Sequence, residues 1–107
     1  MLPRVQCAPA PWQIILFTAA DYIEEHGWCQ NIGKAPDGRC DVMTAISRQC
    51  STSGPDWRRA VDTFALVIGD VDICVWNDQP GRTKTEIVDR LREAASVNPP
   101  GSASDRR

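Results

Sequence analysis

The sequence predicts an all-α fold: a small single-core bundle of four or five helices with two polar motif loops. Apolar residues recur at helical spacing in several stretches, and each stretch begins or ends at capping or turn residues. A chain of 107 residues can build one modest core but not two. The one segment with strand character, residues 70–76, would have no neighbouring strand to pair with.

The same features predict how the chain is divided. Residues 1–12 contain three prolines, which disfavour a regular element and predict an irregular lead-in. Residues 13–96 form a single predicted helical domain. Residues 97–107 combine a Pro-Pro-Gly stretch with a Ser, Asp and Arg ending, and we expect a disordered tail there.

The first predicted helix covers residues 13–26. Its apolar positions recur at helical spacing and form one stripe, made of Leu16, Ala19, Ala20 and Ile23. The acidic residues Asp21, Glu24 and Glu25 occupy the opposite face. Gly27 follows, and we expect it to end the helix in a left-handed conformation.

A loop and a short helix are predicted next. Residues 27–40 contain a Pro-Asp-Gly turn signal and no helical stripe. Asp41 can then cap a helix that runs to about Cys50. The residues that this helix is expected to bury are Val42, Met43, Ala45, Ile46 and Cys50.

Pro55 stands where a first helical residue is expected, and the helix that follows has the clearest apolar stripe of the chain. The stripe consists of Trp57, Ala60, Val61, Phe64, Ala65 and Ile68, and Gly69 ends it. The residues expected to face water are Arg58, Arg59, Asp62 and Thr63.

The end of the domain contains one ambiguous segment and one well-marked helix. Residues 70–76 fit either period two or a single helical turn, and the helical surroundings favour a short helix. Thr83 and Glu86 then form a predicted capping box. The apolar stripe of the last helix is Ile87, Val88, Leu91, Ala94 and Ala95.

Charge and hydropathy exclude some partners. The formal net charge is −2 and no cluster of Lys or Arg stands out, which disfavours generic nucleic-acid or membrane binding. The longest apolar run is far too short to span a bilayer, and the first residues lack a signal-peptide layout. We therefore expect a cytoplasmic protein, in which the five cysteines serve as buried small apolar residues.

Two groups of residues form separate motifs along the chain. The first group is Asp21-Tyr22-Ile23, His26-Gly27-Trp28-Cys29-Gln30 and Asp37-Gly38-Arg39-Cys40. The second group is Trp76-Asn77-Asp78, Pro80-Gly81-Arg82-Thr83 and Glu86. In this order the two groups resemble a small domain-of-unknown-function family from actinobacteria and their phages. The resemblance covers residues 15–95 and implies no assigned activity. Asp41 and Met43-Thr44-Ala45 depart from the apolar, Gly-Ala-containing sequence usual in the family after Cys40.

The motifs define the candidate ligand site. We call residues 26–30 the first motif loop and residues 76–82 the second motif loop, and we expect the two to meet in space. The candidate ligand-binding residues are His26, Trp28, Cys29, Trp76, Asn77, Asp78, Arg82 and Thr83. Polar groups at a helix N-terminus can hold an anion. A structural role is favoured over this, with Asp78 paired to Arg82, Asn77 bracing the loop backbone and Thr83 capping the helix.

Two chemical alternatives use the single histidine. His26 with Cys29, Cys40 and Cys74 could form a zinc site, although only His26 and Cys29 have the close spacing typical of such sites. His26 could also serve as a base for Cys29, with Asp37 or Asp78 orienting it. The favoured interpretation is that His26 caps the end of the first helix, that the cysteines pack, and that no cofactor is bound.

The sequence therefore favours a non-enzymatic binding or regulatory module, of phage origin, that acts through contact with another protein. The alternative is a small enzyme or ligand-binding protein that uses His26, Cys29, Asp78 and Arg82. Convergence of these four side chains on one open pocket would favour the alternative. Side chains that are separated, or whose hydrogen bonds are satisfied within the chain, would favour the protein-binding module.

Overall fold

The computed structural model describes residues 8–51 and 53–97, and in this part of the chain five helices surround one core. They are α1 (Pro11–His26), α2 (Val42–Arg48), α3 (Pro55–Val67), α4 (Ile73–Asn77) and α5 (Lys84–Ala95). These residues contain two isolated β-bridges but no strand, so the all-α prediction is confirmed. The predicted tail lies outside the described residues except for Val97, as does most of the predicted lead-in.

α1 begins at Pro11, two residues earlier than predicted. Proline is well suited to the first helical position, because the amide hydrogen that it lacks would have no partner there. The side chain of Gln13 accepts a hydrogen bond from the backbone N–H of Ala10 at 2.8 Å and so closes the first turn. The lead-in prediction was therefore wrong for residues 11 and 12, where the helix has already begun.

The core is centred on α1, which packs most extensively against α5 and also contacts α2 and α3. The predicted stripes of α1 and α5 are both confirmed, since all nine of their side chains are buried. Gln13 also donates hydrogen bonds from Nε2 to the backbone oxygens of Ala95 at 3.0 Å and Val97 at 3.1 Å. These bonds join the start of α1 to the end of α5.

Gly27 ends α1 with a φ of 100° and a ψ of 169°. This is a positive-φ conformation that favours glycine, although it is not the left-handed helical geometry that was predicted. A Cβ atom at this position would lie 2.7 Å from Cγ of Arg39. Gly27 is therefore required both by its backbone conformation and by the close approach of the loop that contains Arg39.

α2 follows the predicted cap but is shorter than expected. The carboxylate of Asp41 accepts a hydrogen bond from the backbone N–H of Thr44 at 2.8 Å, as an N-cap should. Val42, Ala45 and Ile46 are buried, whereas Met43 and Cys50 are only partly buried. The helix ends at Arg48 rather than near Cys50.

α3 differs from its prediction on both faces. Of the predicted stripe only Ala60 and Phe64 are fully buried, and the other members are partly covered. Thr63, expected to face water, is buried, because α3 packs against both α1 and α5 and so covers a wider face. Arg59 is also partly covered, and its guanidinium lies 5.3 Å from the ring centre of Trp12.

α4 confirms the helical interpretation for residues 73–76, whereas residues 70–72 precede the helix. Asp72 caps it by accepting a hydrogen bond from the backbone N–H of Val75 at 3.0 Å. Its buried side chains are Ile73, Trp76 and Asn77. The ring of Trp76 meets that of Phe64 edge to face at 5.6 Å, which anchors α4 on α3.

α5 has only half of the predicted capping box. The hydroxyl of Thr83 accepts a hydrogen bond from the backbone N–H of Glu86 at 3.2 Å. The carboxylate of Glu86 does not return this bond to Thr83, because it pairs with Arg82 at 2.6 Å. None of the helices in the described ranges has the length and apolarity needed to cross a membrane.

Candidate functional site

The two motif loops meet, as predicted. The first motif loop is held to the extended segment before α2, since the N–H of Cys29 donates to the oxygen of Cys40 at 3.2 Å. The second motif loop contains the end of α4 and the turn before α5. We call the contact between them the loop junction. It is centred on Trp28, Gln30, Asn77 and Asp78, together with Asn31, which directly follows the first motif loop.

Asn77 is the centre of the loop junction and is only 1% exposed. Its Oδ1 accepts hydrogen bonds from the indole N–H of Trp28 at 2.7 Å and from the backbone N–H of Val42 at 3.1 Å. Its Nδ2 donates to the backbone oxygen of Cys29 at 3.3 Å and to Oδ1 of Asp78 at 2.9 Å. An amide side chain has two donor hydrogens and two acceptor positions, so its hydrogen-bonding capacity is fully used.

Gln30 adds a second amide to the loop junction. Its Nε2 donates to the backbone oxygens of Asn77 at 3.0 Å and of Gln79 at 2.8 Å. Gln30 belongs to the His-Gly-Trp-Cys-Gln motif but was not among the predicted ligand-binding residues. Its position beside Trp28 and Cys29 was the signal that could have identified it.

Asp78 faces the first motif loop, so the predicted pair with Arg82 is wrong. Its Oδ1 accepts from the backbone N–H of Asn31 at 2.8 Å and from the amide of Asn77. These two bonds lower the pKa of Asp78 below its ordinary value. The carboxylate therefore remains ionised at neutral pH while it joins the two loops.

Arg82 is held by its own neighbours. Its Nε donates to the backbone oxygen of Trp76 at 3.0 Å, and its guanidinium lies 4.0 Å from the centre of the Trp76 ring. Nη1 pairs with Glu86 at 2.6 Å, and the side chain is only 16% exposed. Arg82 thus closes the turn between α4 and α5 instead of forming the predicted pair with Asp78.

His26 does not join the loop junction. Its ring stacks on Tyr22 at 4.3 Å, and the guanidinium of Arg48 lies 4.5 Å from the same Tyr22 ring. The hydroxyl of Tyr22 donates to the backbone oxygen of Gly38 at 3.1 Å. The His26 ring makes no hydrogen bond to the carbonyls of α1 among the described residues, so its predicted capping role is wrong.

The four cysteines within the described residues differ in burial. Cys29 and Cys40 are buried, Cys50 is partly buried, and Cys74 is exposed, which corrects the expectation that all of them are buried; Cys7 lies outside the described residues. Burial raises the pKa of the Cys29 thiol and raises that of Cys40 to about 11. Nucleophilic cysteines need a lowered pKa, so neither thiol has the electrostatic surroundings of a catalytic residue.

The four residues of the zinc alternative are not brought together. Within residues 8–51 and 53–97 no group of three or more His, Cys, Asp or Glu side chains is arranged to hold a metal ion. The ring of His26 stacks on Tyr22, and Cys74 faces solvent. Cys29 lies in the first motif loop, and Cys40 lies in the segment before α2 to which that loop is hydrogen-bonded.

Three surface cavities lie away from the motif loops. One of about 450 Å³ is bordered by Pro11, Ile14, Pro55 and Trp57. A second of about 480 Å³ lies beside Lys34 and Arg48, and a third of about 490 Å³ lies beside Trp12 and Leu66. None of the eight candidate ligand-binding residues lines these three cavities. In particular, Trp28 and Trp76 serve the loop junction and the core.

The fold and the loop junction define a class of protein: a small all-α domain whose two polar loops are joined by a buried asparagine. The sequence model of a family of unknown function (DUF6197) matches residues 8–97, and the chain belongs to this family. The expected membership of an uncharacterised domain family is thereby confirmed. No curated protein and no solved structure matches the chain.

Proposed function

We propose that the protein is a non-enzymatic binding or regulatory module that acts through contact with another protein. The observation that carries this proposal is the internal satisfaction of the loop junction. Asn77 uses all of its hydrogen-bonding capacity within the chain, and Gln30, Asp78 and Arg82 bind backbone groups of the two loops. Polar side chains whose hydrogen bonds are satisfied within the chain make the two loops rigid, so their role is to hold the shape of the surface that the loops form.

The arrangement of the reactive side chains supports the same proposal over the enzymatic alternative. General-base activation of a thiol requires the base within hydrogen-bond reach of the sulfur. The ring of His26 stacks on Tyr22, while the sulfur of Cys29 donates to the backbone oxygen of Ile32 at 3.5 Å. The two groups thus have separate partners, and the thiol pKa is raised.

Origin and location are part of this proposal. The resemblance of the two motif groups to proteins of actinobacteria and their phages supports a phage origin. Free thiols at Cys29 and Cys40 are typical of a reducing compartment and support a cytoplasmic location. Protein contact in the cytoplasm is the function that we assign to the module.

The experiment that tests this function is recovery of the tagged full-length chain from its native host after chemical crosslinking. Wild-type protein and the His26→Ala variant should both recover the same partner protein, because His26 lies outside the loop junction. The complex should then form again from the two purified proteins. A small molecule that copurifies with the wild-type chain, detected by native mass spectrometry and lost in His26→Ala, would contradict the proposal and favour the alternative.

A further inference from the structure

α4 has apolar side chains on two faces, of which one is buried and the other is exposed to solvent. One face enters the core through Ile73 and Trp76. The opposite face presents Cys74 and Val75 to solvent, with Val75 61% exposed. Val71, just before the helix, is 48% exposed. Single exposed apolar residues are common, but neighbouring ones on one small surface are typical of an interaction site.

Three carboxylates surround this apolar face. Asp72 and Asp78 cap the two ends of α4, and Asp41 caps the neighbouring helix α2, which packs against α4. Partial desolvation of the Cys74 sulfur and then the charges of these three carboxylates raise the pKa of its thiol. The local field at the centre of the face is therefore negative.

The segment directly after the first motif loop adjoins α4. The backbone N–H of Asn31 binds the carboxylate of Asp78 at 2.8 Å, and the next residue, Ile32, is half exposed. Ile32 is thus one residue from a direct contact with the C-cap residue of α4. We call this region the α4 surface: Ile32, Val71, Cys74 and Val75, with Asp41, Asp72 and Asp78 around them.

We infer that the α4 surface docks a protein segment that presents apolar side chains flanked by Lys or Arg. This inference rests on the proposed function and specifies the chemistry of the partner. Burial of the valines against apolar side chains would supply affinity. The carboxylates would pair with basic flanks and would repel acidic peptides, nucleic acid and anionic lipid.

The first test uses two synthetic helical peptides with one leucine stripe each. One peptide carries Lys beside the stripe and the other carries Glu at the same positions. Full-length protein should bind the Lys peptide at least about tenfold more tightly, because like charges disfavour the Glu peptide. Binding should weaken as added salt shortens the screening length from about 10 Å to about 3 Å. Equal binding of the two peptides, or binding of neither, would overturn the inference.

Three variants locate the binding surface. Val75→Ser and Val71→Ser should each weaken binding of the Lys peptide by about tenfold, the effect expected for an apolar anchor. Ile14→Ser is the matched control, since Ile14 is as exposed as Val71, at 48%, but lies on α1, away from the α4 surface. Circular dichroism and chemical denaturation should show all three variants folded. An equal loss of affinity in Ile14→Ser would overturn the inference.

A second experiment separates failure of this inference from failure of the proposed function. A photo-crosslinking amino acid replaces Val75 in one full-length variant and Ile14 in another, each expressed in the native host. A crosslink at position 75 to a Lys- or Arg-rich protein segment would support the α4 surface. A crosslink only at position 14, or at position 75 to an acidic segment or to a second copy of this chain, would overturn it while leaving protein contact as the function. Crosslinks at neither position would count against both.

Discussion

The α1–α5 pair and the loop junction are held together by different forces. α1 and α5 bury apolar stripes against each other, and apolar burial is non-directional and scales with area. The loop junction depends on Asn77, whose hydrogen bonds need defined distances and angles. We therefore expect the α1–α5 pair to tolerate exchange of one apolar side chain for another of similar volume. The loop junction should lose stability when Asn77 is replaced by an apolar side chain.

The largest expected effect comes from Asn77→Leu. Leucine has the same branching at Cγ but would leave the indole N–H of Trp28 and the backbone N–H of Val42 without their acceptor. Each unsatisfied buried donor costs about 1–3 kcal/mol, so the free energy of unfolding should fall by about 3 kcal/mol or more. Chemical denaturation measures this loss.

The matched change in the apolar pair is Leu16→Met, at a fully buried position of α1. A volume-conserving apolar substitution should cost less than about 1.5 kcal/mol. If Asn77→Leu were no more costly than Leu16→Met, the hydrogen bonds of Asn77 would not be what holds the loops together.

A smaller effect is expected from Arg82→Lys. Lysine keeps the charge beside Glu86 but loses the Nε donor to Trp76 and the planar stacking on its ring. We expect a loss of about 1–2 kcal/mol, measured by urea denaturation. The control is Arg58→Lys, in the exposed pair with Asp62, which should change stability by less than about 0.5 kcal/mol. Equal effects would show that Arg82 is only a surface ion pair.

Trp28→Phe tests a single hydrogen bond of the loop junction. Phenylalanine keeps an aromatic ring but removes the donor to Oδ1 of Asn77, which should cost about 1 kcal/mol. Trp57→Phe is the matched control, because the Trp57 indole donates only to the exposed hydroxyl of Ser47 at 3.1 Å. Denaturation midpoints should separate the two variants, and a larger loss in Trp57→Phe would contradict the assignment.

The smallest effect is expected in the pH dependence of stability. The pKa of Asp78 is lowered in the folded chain, from an unfolded value near 3.8, so the folded state favours the ionised carboxylate. This contribution is present above the unfolded pKa and is lost as the pH falls through the lowered folded pKa. Asp78→Asn should therefore show a shallower loss of stability than wild type below about pH 4. Thermal denaturation at a series of pH values measures this difference. If the melting temperatures of wild type and Asp78→Asn fell equally steeply below about pH 4, this role of Asp78 would be contradicted.

The helices of this protein could be predicted from the sequence because their signals are local. The stripe of α5 and the cap at Thr83 involve residues a few positions apart, and both are found in the structure. Thr63 shows the limit of this approach. Periodicity placed it towards water, but α3 is covered by two helices, and only their positions show that Thr63 is buried.

The meeting of the two motif loops was also predicted, but the partners of their side chains were not. Asp78 was assigned to Arg82, four residues away, because spacing along the chain was the only guide. In the folded chain Asp78 binds the backbone of Asn31 and Arg82 binds Glu86 and Trp76. A backbone N–H carries no residue-specific signal in the sequence, so such a partner could not be identified beforehand.

The sequence by itself determined the helical class, the N-caps at Asp41 and Thr83 and the buried stripes of α1 and α5, since these follow from interactions within one or two helical turns. Only the tertiary structure decided the partners of Asn77, Gln30 and Asp78, which lie 47 to 49 residues from the groups that they join across the two loops. Polar groups can pair with many others, and the pairs that form depend on which loops the packing of the apolar helices brings within hydrogen-bond distance.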